Sequence, residues 1–241
     1  MGPYSKPLGL VASLSLSSLL LAGCGGELGN LGQVDPQSPG VYPPSAVMFG
    51  KTYGEWSAEW WKWVYAIPKD RNPLGDPTGE RAGVGQPGPV WFLAGTTGNP
   101  PFAERAFSVP AGRAILVPIL NTTYAIPMDG TTEAQIRAGA KAAMDHATVL
   151  WAAVDGRPLT GLWNYRFMSP FFEYTAPGPE DALWPDYAGT HMAVADGFYV
   201  MFEPLPPGPH TVQYRGEFVF PGSYPNSSTF ETGVTYHLTV E

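Results

Sequence analysis

Glu55 and Glu59 stand four residues apart within Glu55-Trp56-Ser57-Ala58-Glu59-Trp60-Trp61-Lys62-Trp63. On a helix that spacing puts two carboxylates one turn apart, within the range that glycoside hydrolases use for their acid and base. Catalytic pairs usually face each other from different elements, and neighbouring helix carboxylates more often point into water. His191 is the better acid–base candidate, because Trp184-Pro185-Asp186-Tyr187-Ala188-Gly189-Thr190-His191 reads as a polar, aromatic loop with Asp196 five residues further on. A hydrolase site assembled from several elements would draw on His191, Asp196, Glu59, Asn121 and Arg166. The same segments suit binding without chemistry. Trp61, Tyr65, Trp184 and Tyr187 supply flat amphipathic rings for a sugar or another planar ligand.

Other chemistries find less support. The four histidines, His146, His191, His210 and His237, contain no His-x-x-x-His or His-x-His pair, so no local zinc signature is present. The run from Asp70 to Glu80 offers several oxygens, but Leu74 takes a ligand position and Glu80 falls one residue early for a calcium loop. No nucleophile elbow, Walker loop or dinucleotide fingerprint occurs. No metal and no cofactor is therefore expected. Asn121-Thr122-Thr123 and Asn226-Ser227-Ser228 match glycosylation sequons and read as turns.

The elements that would position these groups are short. Trp56, Trp60, Trp63 and Ile67 recur at helical spacing, predicting a helix over residues 53–67, capped by Thr52 and stopped by Pro68, with Trp61 and Tyr65 off its apolar stripe. A Pro/Gly-rich loop leads to a strand at 89–95, a further strand at 105–109, a turn at 110–112 and an apolar strand at 114–120. Pro118 marks an edge or a bulge in that last run. Thr132 with Gln135 forms a capping box for a second helix. A strand at 149–154 turns at Asp155-Gly156 and returns over 159–167. Strands at 198–202, 210–215 and 234–240 complete the chain, the last alternating apolar and polar residues. This pattern predicts a mainly β (α+β) domain: an antiparallel β-sandwich, immunoglobulin-like or jelly-roll-like, with one or two packed helices.

Composition narrows the setting. The 241 residues carry a formal net charge of −8 and only five lysines, which disfavours nucleic acid as a partner. Residues 8–21 form an apolar run too short for a membrane span of roughly 20 residues. It ends in Leu21-Ala22-Gly23-Cys24, which resembles the lipobox of bacterial lipoproteins and implies a signal peptide over residues 1–23 with lipidation at Cys24. That resemblance implies a lipid anchor in the cell envelope, at the outer membrane in a Gram-negative host. Cys24 is the only cysteine, so no disulfide and no thiol chemistry is available to the rest of the chain. Residues 24–47 read as a flexible tether and 48–241 as one globular domain.

Tyr53-Gly54-Glu55-Trp56-Ser57-Ala58-Glu59-Trp60-Trp61-Lys62-Trp63, Gly88-Pro89-Val90-Trp91-Phe92-Leu93-Ala94-Gly95 and Val109-Pro110-Ala111-Gly112-Arg113-Ala114-Ile115 together resemble a group of uncharacterised secreted bacterial proteins. The resemblance implies export and a shared fold, and carries no activity and no catalytic residue. The leading expectation is an anchored binding or cell-surface interaction module with a glycan or envelope component as ligand. A hydrolase on the same scaffold is the alternative, and a purely structural envelope protein the third reading.

Overall fold

The computed structural model describes residues 40–86, 88–220 and 228–241. Cys24, the apolar run before it and the sequon at Asn226 lie outside the described residues. The chain folds into a mainly β, sandwich-like α+β structure with three sheets and two helices.

A two-residue hairpin, β1 (Val47–Met48) and β2 (Lys51–Thr52), turns through Phe49 and Gly50, both at positive φ, and delivers the chain to α1 (Tyr53–Ala66). Thr52 and Glu55 close a reciprocal capping box at its start. Trp56, Trp60 and Trp63 are buried, as their spacing predicts, and so are Trp61 and Tyr65. Only Ala66 is exposed, because α1 lies over β8 (Arg166–Met168), β9 (Phe172–Ala176) and β10 (Gly189–Phe202) and is covered on its other flanks by loops.

The first large sheet has the order β3 (Val90–Phe92), β5 (Ala114–Ala125), β10, β8, with β9 also paired to β10. The second has the order β4 (Phe102–Val109), β12 (Ser228–Val240), β11 (Gly208–Phe220), β6 (Ala147–Val154), β7 (Arg157–Pro158). Most pairings are antiparallel, while the edge strands β3 and β4 join parallel to β5 and β12. In β12, Val234, Tyr236, Leu238 and Val240 are buried and His237 and Thr239 exposed, the alternation expected of a sheet with one wet face.

β5 holds the domain together. Its pairing with β10 slips between Leu120 and Pro118, leaving Ile119 as the extra residue of a bulge beside the proline, which cannot donate to the ladder. The bulge aims the Ile119 carbonyl at β11, where a Cβ built on Gly216 would meet it at 2.5 Å. Only glycine permits the two sheets to approach this closely. Beyond the bulge, consecutive β5 residues face opposite sides. Thr123 meets Tyr65 of α1, while Tyr124 packs on Gly139 of α2 (Glu133–Asp145), so the two helices flank the first sheet.

Three sequence expectations change. The return strand over 159–167 does not form: pairing ends at Pro158, Gly161 takes a left-handed conformation, a 3₁₀ turn covers Leu162–Asn164, and β8 joins the other sheet. The sequon at Asn121 lies within β5 and not in a turn, because the strand continues past Leu120 as far as Ala125. Packing also begins earlier than the expected domain start at residue 48. Val41 is fully buried and bridges to Phe202.

Candidate aromatic binding cleft

α1 carries four tryptophans, and three of them resemble one another. The indole N–H groups of Trp56, Trp60 and Trp63 donate to the carbonyls of Met48, Leu93 and Val84, at 2.9, 2.8 and 2.9 Å. Each thereby ties the helix to a different strand or loop. Trp61 is different: its buried Nε1 turns to the Tyr199 hydroxyl and not to a backbone carbonyl.

Trp61 faces a cleft of about 300 Å³, a volume at the lower end of the range for small-molecule sites. One wall is α1, with Trp60, Trp61 and Tyr65. Trp184 and Tyr187, from the loop before β10, form the rim, and Phe218 of β11 with Phe230 of β12 form the opposite wall. The β5 bulge supplies the floor through Pro118, Asn121, Thr122 and Thr123, and Thr96, Thr97 and Thr232 add hydroxyls at the far end. Seven aromatic side chains line this space, and none of the described lining residues is an Asp, Glu, His, Lys or Arg.

The rings hold one another in place. Tyr65 stacks on Tyr174 with centroids 3.9 Å apart, Trp61 packs against Trp184 at 6.1 Å, and Phe218 stacks on Phe230 at 5.1 Å. Tyr187 donates its hydroxyl to both Asp129 oxygens, at 2.9 and 3.0 Å, which fixes the rim. Burial pushes the Tyr65 hydroxyl well above its ordinary pKa, so it stays a neutral donor or acceptor bonded to Thr123 Oγ1 at 3.1 Å.

Behind the floor, the hydroxyl of fully buried Tyr199 sits beside the buried Asn121 amide and the Trp61 indole. Burial raises the Tyr199 pKa, while hydrogen bonds from Asn121 and Trp61 act in the opposite direction. The three groups thus serve one another beneath the cleft, as buried polar groups generally must.

The four residues expected to bind, Trp61, Tyr65, Trp184 and Tyr187, all line the cleft. The five groups expected for catalysis do not come together. Asn121 is in the cleft. Asp196 and Arg166 meet at 2.6 Å, but on the α2 side of the sheet, where Arg166 also binds Asp145 at 2.7 Å and the Lys141 carbonyl at 2.9 Å. Burial raises the Asp196 carboxyl even against the pull of Arg166. His191 holds the Ala188 carbonyl at 2.8 Å and lies against Tyr174, bracing the rim from behind. Glu59 pairs with Lys51 at 3.2 Å and Lys62 at 3.1 Å, and Glu55 caps its own helix, so these two carboxylates do not act as a pair. The Asp70–Glu80 loop is organised by Asp76, which accepts from the N–H groups of Thr78, Gly79 and Arg81. Among the described residues no group of three or more His, Cys, Asp or Glu could hold a metal ion, and no helix is long and apolar enough to cross a membrane.

The Thr96–Thr232 end carries no signal in the sequence, because it joins residues 136 positions apart, and the Phe218–Phe230 wall forms only through the pairing of β11 with β12. Set against protein-family models, curated proteins and solved structures, the chain matches none of them.

Proposed function

We propose that this protein is a lipid-anchored, extracytoplasmic binding module that takes a small uncharged molecule, from a glycan or another envelope component, into the aromatic cleft. One observation carries the reading: seven aromatic rings and neutral polar groups enclose the space, without an ionised side chain among its described residues. Aromatic walls with a few polar groups favour binding an uncharged ring, since ring faces bury apolar area while the polar atoms set orientation. General acid–base work needs a titratable group within reach of the ligand, and the carboxylates and histidines lie elsewhere.

The test is direct. The protein is titrated with neutral glycans and with fractionated envelope extract while the indole N–H resonances are followed. Shifts confined to Trp60, Trp61 and Trp184 are expected. Absence of any retained compound at millimolar concentration counts against the reading. The anchor is tested separately: labelled palmitate should enter the wild-type chain and not the Cys24→Ser variant.

A further inference from the structure

The turn between β10 and β11 has few donors of its own, because Pro204, Pro206 and Pro207 carry no N–H. Among the described residues, 204–207 make no backbone–backbone hydrogen bond, and the Pro206 carbonyl is held by His210 Nε2 at 2.8 Å. The other ring nitrogen, Nδ1, lies 2.8 Å from Asp155 Oδ2 in the turn between β6 and β7. The His210 side chain is only 10 % exposed, so water does not readily replace either partner. Asp155 is fixed independently of the ring. Its Oδ1 accepts the Thr211 N–H and its own N–H donates to the Thr211 carbonyl, both at 2.8 Å.

A carbonyl oxygen and a carboxylate only accept, whereas a neutral imidazole has one N–H and one lone pair. The neutral ring therefore serves one partner and turns its lone pair on the other. Imidazolium serves both. Few charges surround the ring: Asp155 faces it from the β6–β7 turn with Arg157 nearby, and His237 of β12 lines the same shallow dish of about 470 Å³, paired with Glu104 of β4 at 2.8 Å. Burial disfavours the cation, but the bonds to Asp155 and Pro206 more than offset this, so His210 titrates above its ordinary value of 6.5. Burial likewise pushes the Asp155 carboxyl up, and bonds from His210 and Thr211 more than offset it, so Asp155 stays ionised throughout.

We propose that His210 is a proton-operated latch: as imidazolium it pins the 204–207 turn to Asp155, and as neutral imidazole it lets the turn go. The proton that leaves to water is the one on Nε2, because the bond to the carboxylate is charge-assisted and the stronger of the two. The turn directly follows Glu203, whose N–H holds the Gly40 carbonyl, so the latch sits where the chain enters the domain. A group with a raised folded pKa contributes stability that is fully present below its unfolded value, about 6.5, and is lost as pH rises through the folded value.

Nuclear magnetic resonance on the full chain between about pH 5 and about pH 9 tests this. His210 should titrate with a midpoint above 6.5 and retain its Nδ1 proton, and the order of the Leu205 amide should fall through the same midpoint. His210→Phe keeps a ring and removes both donors. Leu205 should then be mobile at every pH, and the melting temperature should lie furthest below that of the wild type at the acid end. Asp155→Asn keeps an acceptor for Thr211 and removes the charge, so the His210 midpoint should fall. Should His210→Phe not fold, the wild-type titration and Asp155→Asn decide. A wild-type midpoint at or below 6.5 overturns the proposal, as does an unchanged midpoint in Asp155→Asn or a Leu205 amide indifferent to the titration.

Discussion

Asp76 shows how much one carboxylate can organise. Burial pushes its pKa up, but N–H groups from Arg81, Thr78 and Gly79 more than offset this, so the carboxyl titrates below its ordinary value. Asp76→Ala would free three backbone donors and the Thr78 hydroxyl at once, and the expected cost is about 2–3 kcal/mol in urea unfolding at pH 7. The sign with pH follows from linkage. A carboxyl whose folded pKa is depressed contributes stability above its unfolded value, near pH 4, and loses it as pH falls through the folded value. The variant and wild type should therefore converge as pH falls below about 4. Arg105 of β4 also holds this loop: its Nε donates to the Asp76 carbonyl at 2.7 Å and its Nη1 to the Ala94 carbonyl at 2.6 Å. This buried arginine pins the loop to β4 and to the chain leaving β3, close to the threonine end of the cleft.

Among the elements, α2 is tied to the first sheet by the Arg166 guanidinium as well as by its buried apolar face. Arg166 of β8 joins the Asp145 carboxylate and the Lys141 carbonyl of α2 to Asp196 of β10. Removing it leaves a buried carboxylate without its counter-charge, so Arg166→Ala should cost about 3 kcal/mol. Asp196 has a raised folded pKa, which means that its ionisation disfavours folding: stability is greatest below about pH 4 and declines as pH rises through the folded value. Without Arg166 that value rises further. The deficit of the variant should thus be larger at pH 7 than at pH 4, and adding Asp196→Asn should recover most of it. Denaturant midpoints at both pH values provide the check.

What could be read from the chain follows from how local each signal is. Both helices, the Thr52 cap, the capping box at Thr132 and Gln135, the irregularity at Pro118 and the alternation in β12 depend on neighbours within a few residues, and all are found. The strand β9 escapes a local reading because prolines and a loop flank it and its pairing partner β10 begins further along. Trp61, Tyr65, Trp184 and Tyr187 could be singled out because each stands outside an apolar stripe or sits in a loop. Phe230 and Thr232 could not, since they reach the cleft only through the pairing of β11 with β12.

For the whole molecule, the consequential feature is how the chain enters the domain. Tyr42 donates its N–H to the Met201 carbonyl at 2.9 Å, and Glu203 donates to the Gly40 carbonyl at 2.9 Å. The Tyr53 hydroxyl then links the Tyr42 carbonyl to the Met201 N–H, at 2.8 and 3.0 Å. Residues 40–42 are thus laced along β10, the strand that also pairs with β5, β8 and β9. If the protein is held from its N-terminal side, tension does not end at a loose loop. It loads these few hydrogen bonds and passes through them into the central strand. The lacing makes the entry segment a mechanical clamp, and Tyr53→Phe, which cuts both hydroxyl bonds, should lower the force at which the N-terminal side peels away in a single-molecule pulling experiment.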